Sequence, residues 1–252
     1  MPEGWSESWR TLRGVARSLH IYYGDRSRRA AMERLYRRFV QPGDLVFDIG
    51  AHVGDRIAVF RRCGARVVAV EPQPALVKTL KLIYGRDHAV AIEPLAVGRA
   101  ATMLDFTLNV DNPTVSTASD AFRQAANGAP GWEGQAWTRT IRVPATTLEA
   151  LFTRYGMPAF IKIDVEGSEA EALAGLTRPS PALSFEFTII QRGVAAACIE
   201  RCARLGYTRY NAMLGESHAL VYDDWVSAGE IASWLRALPQ SANSGDIYAL
   251  LP

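Results

Sequence analysis

From residue 41 onward, apolar and polar positions alternate between two patterns. After the turn "QPGD" at 41–44, Leu45–Asp48 is an apolar run that ends in an acid. Arg56–Cys63 has helical spacing and stops at Gly64, Val67–Glu71 is a second apolar run, and Pro74–Tyr84 is helical and stops at Gly85. Ala89–Ile92 is a third short run. The alternation resumes with Phe160–Asp164, the helical "SEAEALAGL", Leu183–Phe187, a helix over Ala195–Leu205, a strand near Tyr207–Asn211 and a last strand "DIYALL". Strands that are apolar throughout and separated by helices belong to a parallel sheet covered on both faces. The pattern therefore predicts a doubly wound, mostly parallel α/β fold, with ligands at the carboxyl ends of its strands.

Two stretches break the alternation. In residues 101–147, "ATMLDFTLNV" and "TRTIRV" predict a strand pair. The long Ser-, Asn-, Gly- and Trp-rich segment between them marks a substrate-side insertion. Residues 1–40 predict two short helices broken near Gly24, with Met32, Leu35, Tyr36 and Phe39 at helical spacing. The expected organisation is a helical N-terminal extension over 1–40 followed by one domain over 41–252. No internal repeat is present.

Composition narrows the class. The 252 residues are 48% hydrophobic and 21% charged, as in soluble globular domains, and a net charge of +2 argues for neither nucleic acid nor an anionic membrane. Of 28 basic residues only Lys78, Lys81 and Lys162 are lysines. The arginines of the first 40 residues could face RNA, but a solvated face with arginine stems over the core is the favoured reading. Cys63, Cys198 and Cys202 lack a zinc-site spacing, and the pair four residues apart reads as buried thiols. A chain without a disulfide framework suits a reducing compartment, and the expectation is cytoplasmic. No apolar signal region and no run of about 18 apolar residues appears, so no membrane span or membrane partner is expected.

The strand ends carry the chemistry. Gly50 and Gly54 flank "AHV" after the first strand, and the helix that begins near Asp55 points its amides and dipole at the same place. A dinucleotide loop would read GxGxxG. Here Asp48 precedes the glycines, an acid that repels a pyrophosphate and suits an ammonium. The second strand ends in Glu71, placed to accept both hydroxyls of a ribose, before the sharp turn "EPQP" that begins with Pro72. An amino-acid head, a ribose and no phosphate describe S-adenosylmethionine. Leu95–Gly98, with Ala96 and Val97, would then lie beside the adenine. A purely structural glycine turn is the competing reading of the loop.

"FDIGAHVG", "VVAVEPQP", "LAVG", "TTLEAL" and "IKIDVEGSE", in this order, resemble the FkbM family of S-adenosylmethionine-dependent methyltransferases. The similarity runs from about Gly43 to Glu186. It implies a seven-stranded Rossmann-like sheet with an antiparallel last strand, and methyl transfer from S-adenosylmethionine, with S-adenosylhomocysteine as product, often to a hydroxyl of a natural product or sugar. By position it implies that Asp48, Gly50, Ala51 and Gly54 hold the methionine part and Glu71 the ribose. His52 departs from the asparagine frequent there.

The fourth strand end, "DVEGSE", faces the sulfonium methyl in such a sheet. Asp164, Glu166 and Glu169 could supply a general base, orient a hydroxyl or bind a divalent metal, with Glu186 completing a metal site. Helix capping by Ser168 or Asp164, with Glu166 and Glu169 in the first turn, is favoured over metal. Lys162, inside its strand, predicts a buried salt bridge. The catalytic candidates are Asp164, Glu166 and His52, and for His52 packing or backbone contact outweighs a role as base. Asp164 and His52 also count among the cofactor contacts. His218 could belong to a substrate lid, Ser116 and Thr117 could reach ligand, and Trp132 and Trp137 could wall the pocket. His20 and His88 give no signal. The acceptor is expected to be a small molecule or saccharide. Two alternatives stand beside this one: a nucleic-acid methyltransferase, opposed by "DVEG" where an Asn/Asp-Pro-Pro-aromatic turn would be, and a non-catalytic cofactor-binding partner. A homo-oligomer is left open.

Overall fold

The computed structural model describes residues 3–252, with side chains from Ser8 onward; Met1, Pro2 and the Trp5 side chain, counted above in the extension, lie outside the described residues. The chain opens with helices α1 (Glu3–Gly24) and α2 (Arg26–Tyr36), broken where Asp25 caps α2 by accepting from the Ser27 and Arg28 amides. Strand β1 (Leu45–Ile49), helix α3 (Asp55–Arg62), strand β2 (Arg66–Val70), helix α4 (Pro74–Tyr84) and strand β3 (Val90–Glu93) follow. Next come β4 (Ala96–Val97), β5 (Thr102–Leu108), α5 (Asp120–Ala126), β6 (Arg139–Thr146) and α6 (Leu148–Tyr155). The second half holds β7 (Phe160–Ile163), α7 (Glu169–Ala174), β8 (Ala182–Thr188), α8 (Arg192–Arg204), β9 (Arg209–Leu214), α9 (Ala228–Ala237) and β10 (Ser244–Leu250).

The main sheet has seven strands in the order β3-β2-β1-β7-β8-β10-β9, and β10 alone runs antiparallel to its neighbours. This is the predicted Rossmann-like architecture. Alternate residues of each strand face two cores. Phe47, Ile49, Ile161, Ile163, Phe185 and Ile247 face α6, α7, α8 and α9. Val46, Val67, Ala69, Phe160 and Tyr248 face α2 and α3. Each such large side chain, fully buried, is worth roughly 1.5–3 kcal/mol. The expected helical residues Met32, Leu35 and Tyr36 are buried on the second face, and Phe39, just past α2, stacks on both Phe160 and Tyr248 at 5.1 and 5.4 Å.

The α2/α3 face carries a polar row straight across the sheet. Register pairs Asp48 with Lys162, Lys162 with Ser184, Ser184 with Tyr248 and Tyr248 with Asn211. All five are at most 1% exposed. The Lys162 ammonium donates to Asp246 at 2.8 Å and to Asp164 at 3.0 Å, the buried salt bridge its strand position predicted. Those two acids outweigh the cost of burial and hold its pKa well above the ordinary lysine value.

The insertion differs from the long loop expected. β4, β5 and β6 form a second three-stranded sheet, and the segment between β5 and β6 contains α5, which buries Phe122 against Trp132 and Trp137. Helices α6 and α9 also went unread in the sequence. The sixth main strand starts at Arg209, with Tyr207 buried just before it. Among the described residues no helix is long and apolar enough to cross a membrane.

Candidate functional site

A cavity of about 290 Å³ opens at the carboxyl ends of β1, β2, β7 and β8. Of the residues the sequence singled out, Gly50, Ala51, His52, Glu71, Pro72, Ala96, Val97, Ser116, Trp132, Asp164, Glu166, Ser168 and Glu186 line it. Asp48, Gly54, Thr117, Trp137, His218 and Glu169 do not.

The loop after β1 is built by backbone. The Gly50 and Ala51 amides both donate to the Val70 carbonyl, and Gly50 takes φ +85°. A Cβ at Gly50 would stand 1.7 Å from the Asp164 carbonyl oxygen, so the β1–β7 junction itself demands glycine. Gly54 is the N-cap of α3, where a Cβ would strike Tyr84 and Leu80. Both glycines therefore have packing reasons, and only the first also borders the cavity.

Glu71 is the best-held acid on the cofactor side. It is 3% exposed; its Oε2 accepts the His52 amide at 3.0 Å and its Oε1 the Gln73 amide at 2.8 Å. Burial, against those two donors, pushes it up to about 8. Asp48 is 1% exposed and neither carboxylate oxygen has a protein partner; burial pushes it up to about 7. The His52 ring sits edge-on to Tyr22 at 5.2 Å, with Nε2 3.3 Å from the Thr114 hydroxyl. Burial holds His52 down at about 4, so the ring is neutral near pH 7.

At the far side, Asp164, Glu166 and Glu186 bring one oxygen each within 4.8 Å of one another. Burial pushes Glu166 and Glu186 well above the usual carboxylate range, and Asp164 adds to both. For Asp164 burial acts upward, but the Lys162 ammonium and Arg56 outweigh it and hold it low. Glu166 takes φ +51° and is 7% exposed, with Oε2 unpartnered. Its carbonyl accepts from the Thr117 hydroxyl at 2.6 Å. The capping expected of Ser168 or Asp164 is absent, because Glu169 folds back instead. Its Oε1 accepts the amides of Val165 at 3.0 Å and Gly167 at 3.3 Å, and Glu166 lies outside the helix.

Several lining residues gave no signal in the sequence. Tyr22 arrives from α1, Thr114 and Val115 from the turn before α5, and Asn243 and Ser244 from the start of β10. Arg56 and Glu216 border the loop side: Arg56 donates to Glu216 at 2.9 Å and to Asp55 at 3.1 Å, while Arg28 donates to Glu216 at 2.9 Å. This network ties α2 and α3 to the segment after β9. Its partners are distant in sequence, so spacing could not reveal it. His218 leans on Glu216 at 3.5 Å, outside the cavity wall.

The buried acids set a pH dependence. Asp48, Glu71 and Glu169, at about 7, 8 and 7, hold protons in the folded chain that an unfolded carboxyl releases above about pH 4. Their contribution to stability is lost as pH rises through those values. His52 and His218, both near 4, act in the opposite direction only below about pH 6.5. The melting temperature of the ligand-free protein is thus expected to fall from pH 6.5 to 8.5. Scanning calorimetry showing a rise over that interval would contradict these assignments.

The chain matches the methyltransferase FkbM domain over residues 48–242, more than three quarters of its length, and it belongs to that family. It is similar in structure to an O-methyltransferase from Bacillus cereus in complex with SAH (TM-score 0.46, 13% identity, covering 95% of this chain and 90% of that one). It is also similar to a TehB-like SAM-dependent methyltransferase from Corynebacterium glutamicum (TM-score 0.43, 12% identity, covering 99% and 97%). No individually curated protein matches it in sequence.

Proposed function

We propose that this FkbM-family methyltransferase transfers a methyl group from S-adenosylmethionine to a hydroxyl oxygen of a small-molecule or saccharide acceptor. The observation that carries the reading is a single cavity with a ribose-type acid, Glu71, at one end and a carboxylate cluster at the other. The orphaned, fully buried Asp48 carboxylate supports a cationic occupant nearby. In this reading the Gly50–His52 backbone carries the methionine part, Asp164 supplies negative charge for its ammonium, and the nearby cation draws the proton off Asp48. Glu71 takes the ribose hydroxyls, and Pro72, Ala96 and Val97 flank the adenine.

When bound, S-adenosylmethionine supplies an electrophilic methyl group. The protein's part is chiefly alignment, because displacement at carbon needs the acceptor oxygen in line. Glu166, whose Oε2 is unpartnered among the described residues, takes the hydroxyl proton in its ionised form, and its raised proton affinity places that form at higher pH. Lys162 fixes Asp164, and the Thr117 hydroxyl and Glu169 fix the backbone around Glu166. His52 is a wall and a backbone donor to Glu71, since a ring at about 4 is a weak base. The test pairs titration calorimetry of S-adenosylhomocysteine with transfer of labelled methyl to a panel of hydroxylated acceptors. Binding with alkali-stable ether products is expected; methylation confined to RNA or DNA would overturn the acceptor reading.

A further inference from the structure

The acceptor half of the cavity has an imbalance of charge that points beyond a plain hydroxyl. It lies over β7, β8 and β10 and is walled by Glu166, Ser168, Glu186, Thr188, Asn243 and Trp132. The basic residues of the whole cavity wall are Arg56 and His52. Arg56 is spent on Asp55 and Glu216, and His52 is neutral. Lys162, behind the cluster, is shared by Asp164 and Asp246. Among the described residues neither Glu166 nor Glu186 has a basic side chain at ion-pair distance, and the hydrogen bond Glu186 makes is to Asp164, one acid to another. The Glu166 Oε2 has no hydrogen-bond partner among the described residues, in a residue 93% buried. A buried carboxylate left unpaired costs several kcal/mol or stays protonated, so the wall is built for an occupant that brings positive charge.

From this geometry, and resting on the methyl-transfer reading above, we infer that the acceptor is a 1,2-amino alcohol, such as an amino sugar, whose ammonium pairs with Glu186 while the neighbouring hydroxyl faces Glu166. The two carboxylates present oxygens no more than 4.8 Å apart, a gap that adjacent N and O substituents on one carbon–carbon bond can serve together. Ser168, Thr188 and Asn243 offer the hydrogen-bonding groups a polyol needs, and Trp132 offers a ring face. Phosphorylated or carboxylated acceptors meet only repulsion there. An ammonium on Glu186 leaves Glu166 free to accept the hydroxyl proton, so the two acids divide binding and proton transfer between them.

Ligand-observed NMR on protein saturated with S-adenosylhomocysteine tests this with glucosamine, N-acetylglucosamine and glucuronate. Glucosamine should bind at least about tenfold tighter than N-acetylglucosamine, because a charge-assisted pair is lost on acetylation, and glucuronate should bind weakest. Glu186→Gln should erase the preference, with an unchanged circular-dichroism spectrum and retained S-adenosylhomocysteine binding reporting that it folds. Equal binding of the acetylated sugar, tighter binding of glucuronate, no binding of glucosamine at millimolar concentration, or a preference that survives in Glu186→Gln each overturn the inference. Manganese titrated in the same samples separates a metal from an amine: Mn²⁺ that binds the wild type, not Glu186→Gln, and excludes glucosamine makes the cluster a metal site and overturns it. Failure of S-adenosylhomocysteine itself to bind is a different result, and it removes the cofactor reading instead.

Discussion

Glu71→Ala is expected to raise the dissociation constant of S-adenosylhomocysteine by more than about 100-fold, because both ribose hydroxyls lose their acceptor and bonds to an acid that ionises on binding are worth roughly 1.5–3 kcal/mol each. Glu71 is held ready for this: two backbone amides fix both oxygens, and the side chain stays at the cavity wall. Its removal also leaves the His52 and Gln73 amides without their acceptor, which loosens the loop that faces the methionine part. Glu71→Gln keeps the volume and one acceptor, so its loss should be smaller. Asp48→Ala should also weaken binding, although Asp48 stands behind the wall, because its carboxyl has no hydrogen-bond partner among the described residues and ionises when a cation comes near. Calorimetry that finds unchanged affinity in Glu71→Ala would sink the cofactor assignment.

Lys162→Met is expected to cost roughly 3–5 kcal/mol of stability, since it strands buried carboxylates. The ammonium is 1% exposed and serves Asp164, just past the end of β7, and Asp246 within β10, on either side of β8. Asp246, though nearer to Lys162, is already pushed up by burial, so it would take up a proton first. A fall of roughly 6–20 °C in melting temperature follows for a chain of this size. Adding Asp246→Asn should return part of the loss, because the two sites are directly coupled. A melting temperature within two or so degrees of wild type would show that the row is wet and weakly coupled.

Much of the fold was legible because parallel strands buried on both faces write themselves as unbroken apolar runs. β1, β2, β7 and β8 were read within a residue or two at each end, and so was the buried pair made by Lys162. The weaker readings share a cause. Helix α6 begins at a single cap, Thr147, easily taken for loop, whereas α9 begins at a Ser227–Glu230 capping box, a start signal that the apolar pattern alone does not show. The insertion hid α5 because a seven-residue helix shows barely two turns of periodicity. In the site, motif spacing found the residues that follow strand ends, including Glu71, Asp164 and Glu166. It could not find Tyr22, Glu216 or Asn243, which enter from remote parts of the chain. Nor could spacing tell Asp48 at the wall from Asp48 behind it. That difference depends on which face of β1 the side chain takes.

Tyr22 has a consequence for how relatives diverge. The family match begins at residue 48, and α1 lies wholly before it. One wall of the cavity is thus furnished by a segment outside the shared module, anchored by Tyr23 on the Val53 carbonyl and the Tyr84 hydroxyl. Exchanging α1 is expected to reshape the cavity while leaving the strands in place. Removing it opens the cavity on one side and also uncovers Val53 and Leu76, which Val15 packs against.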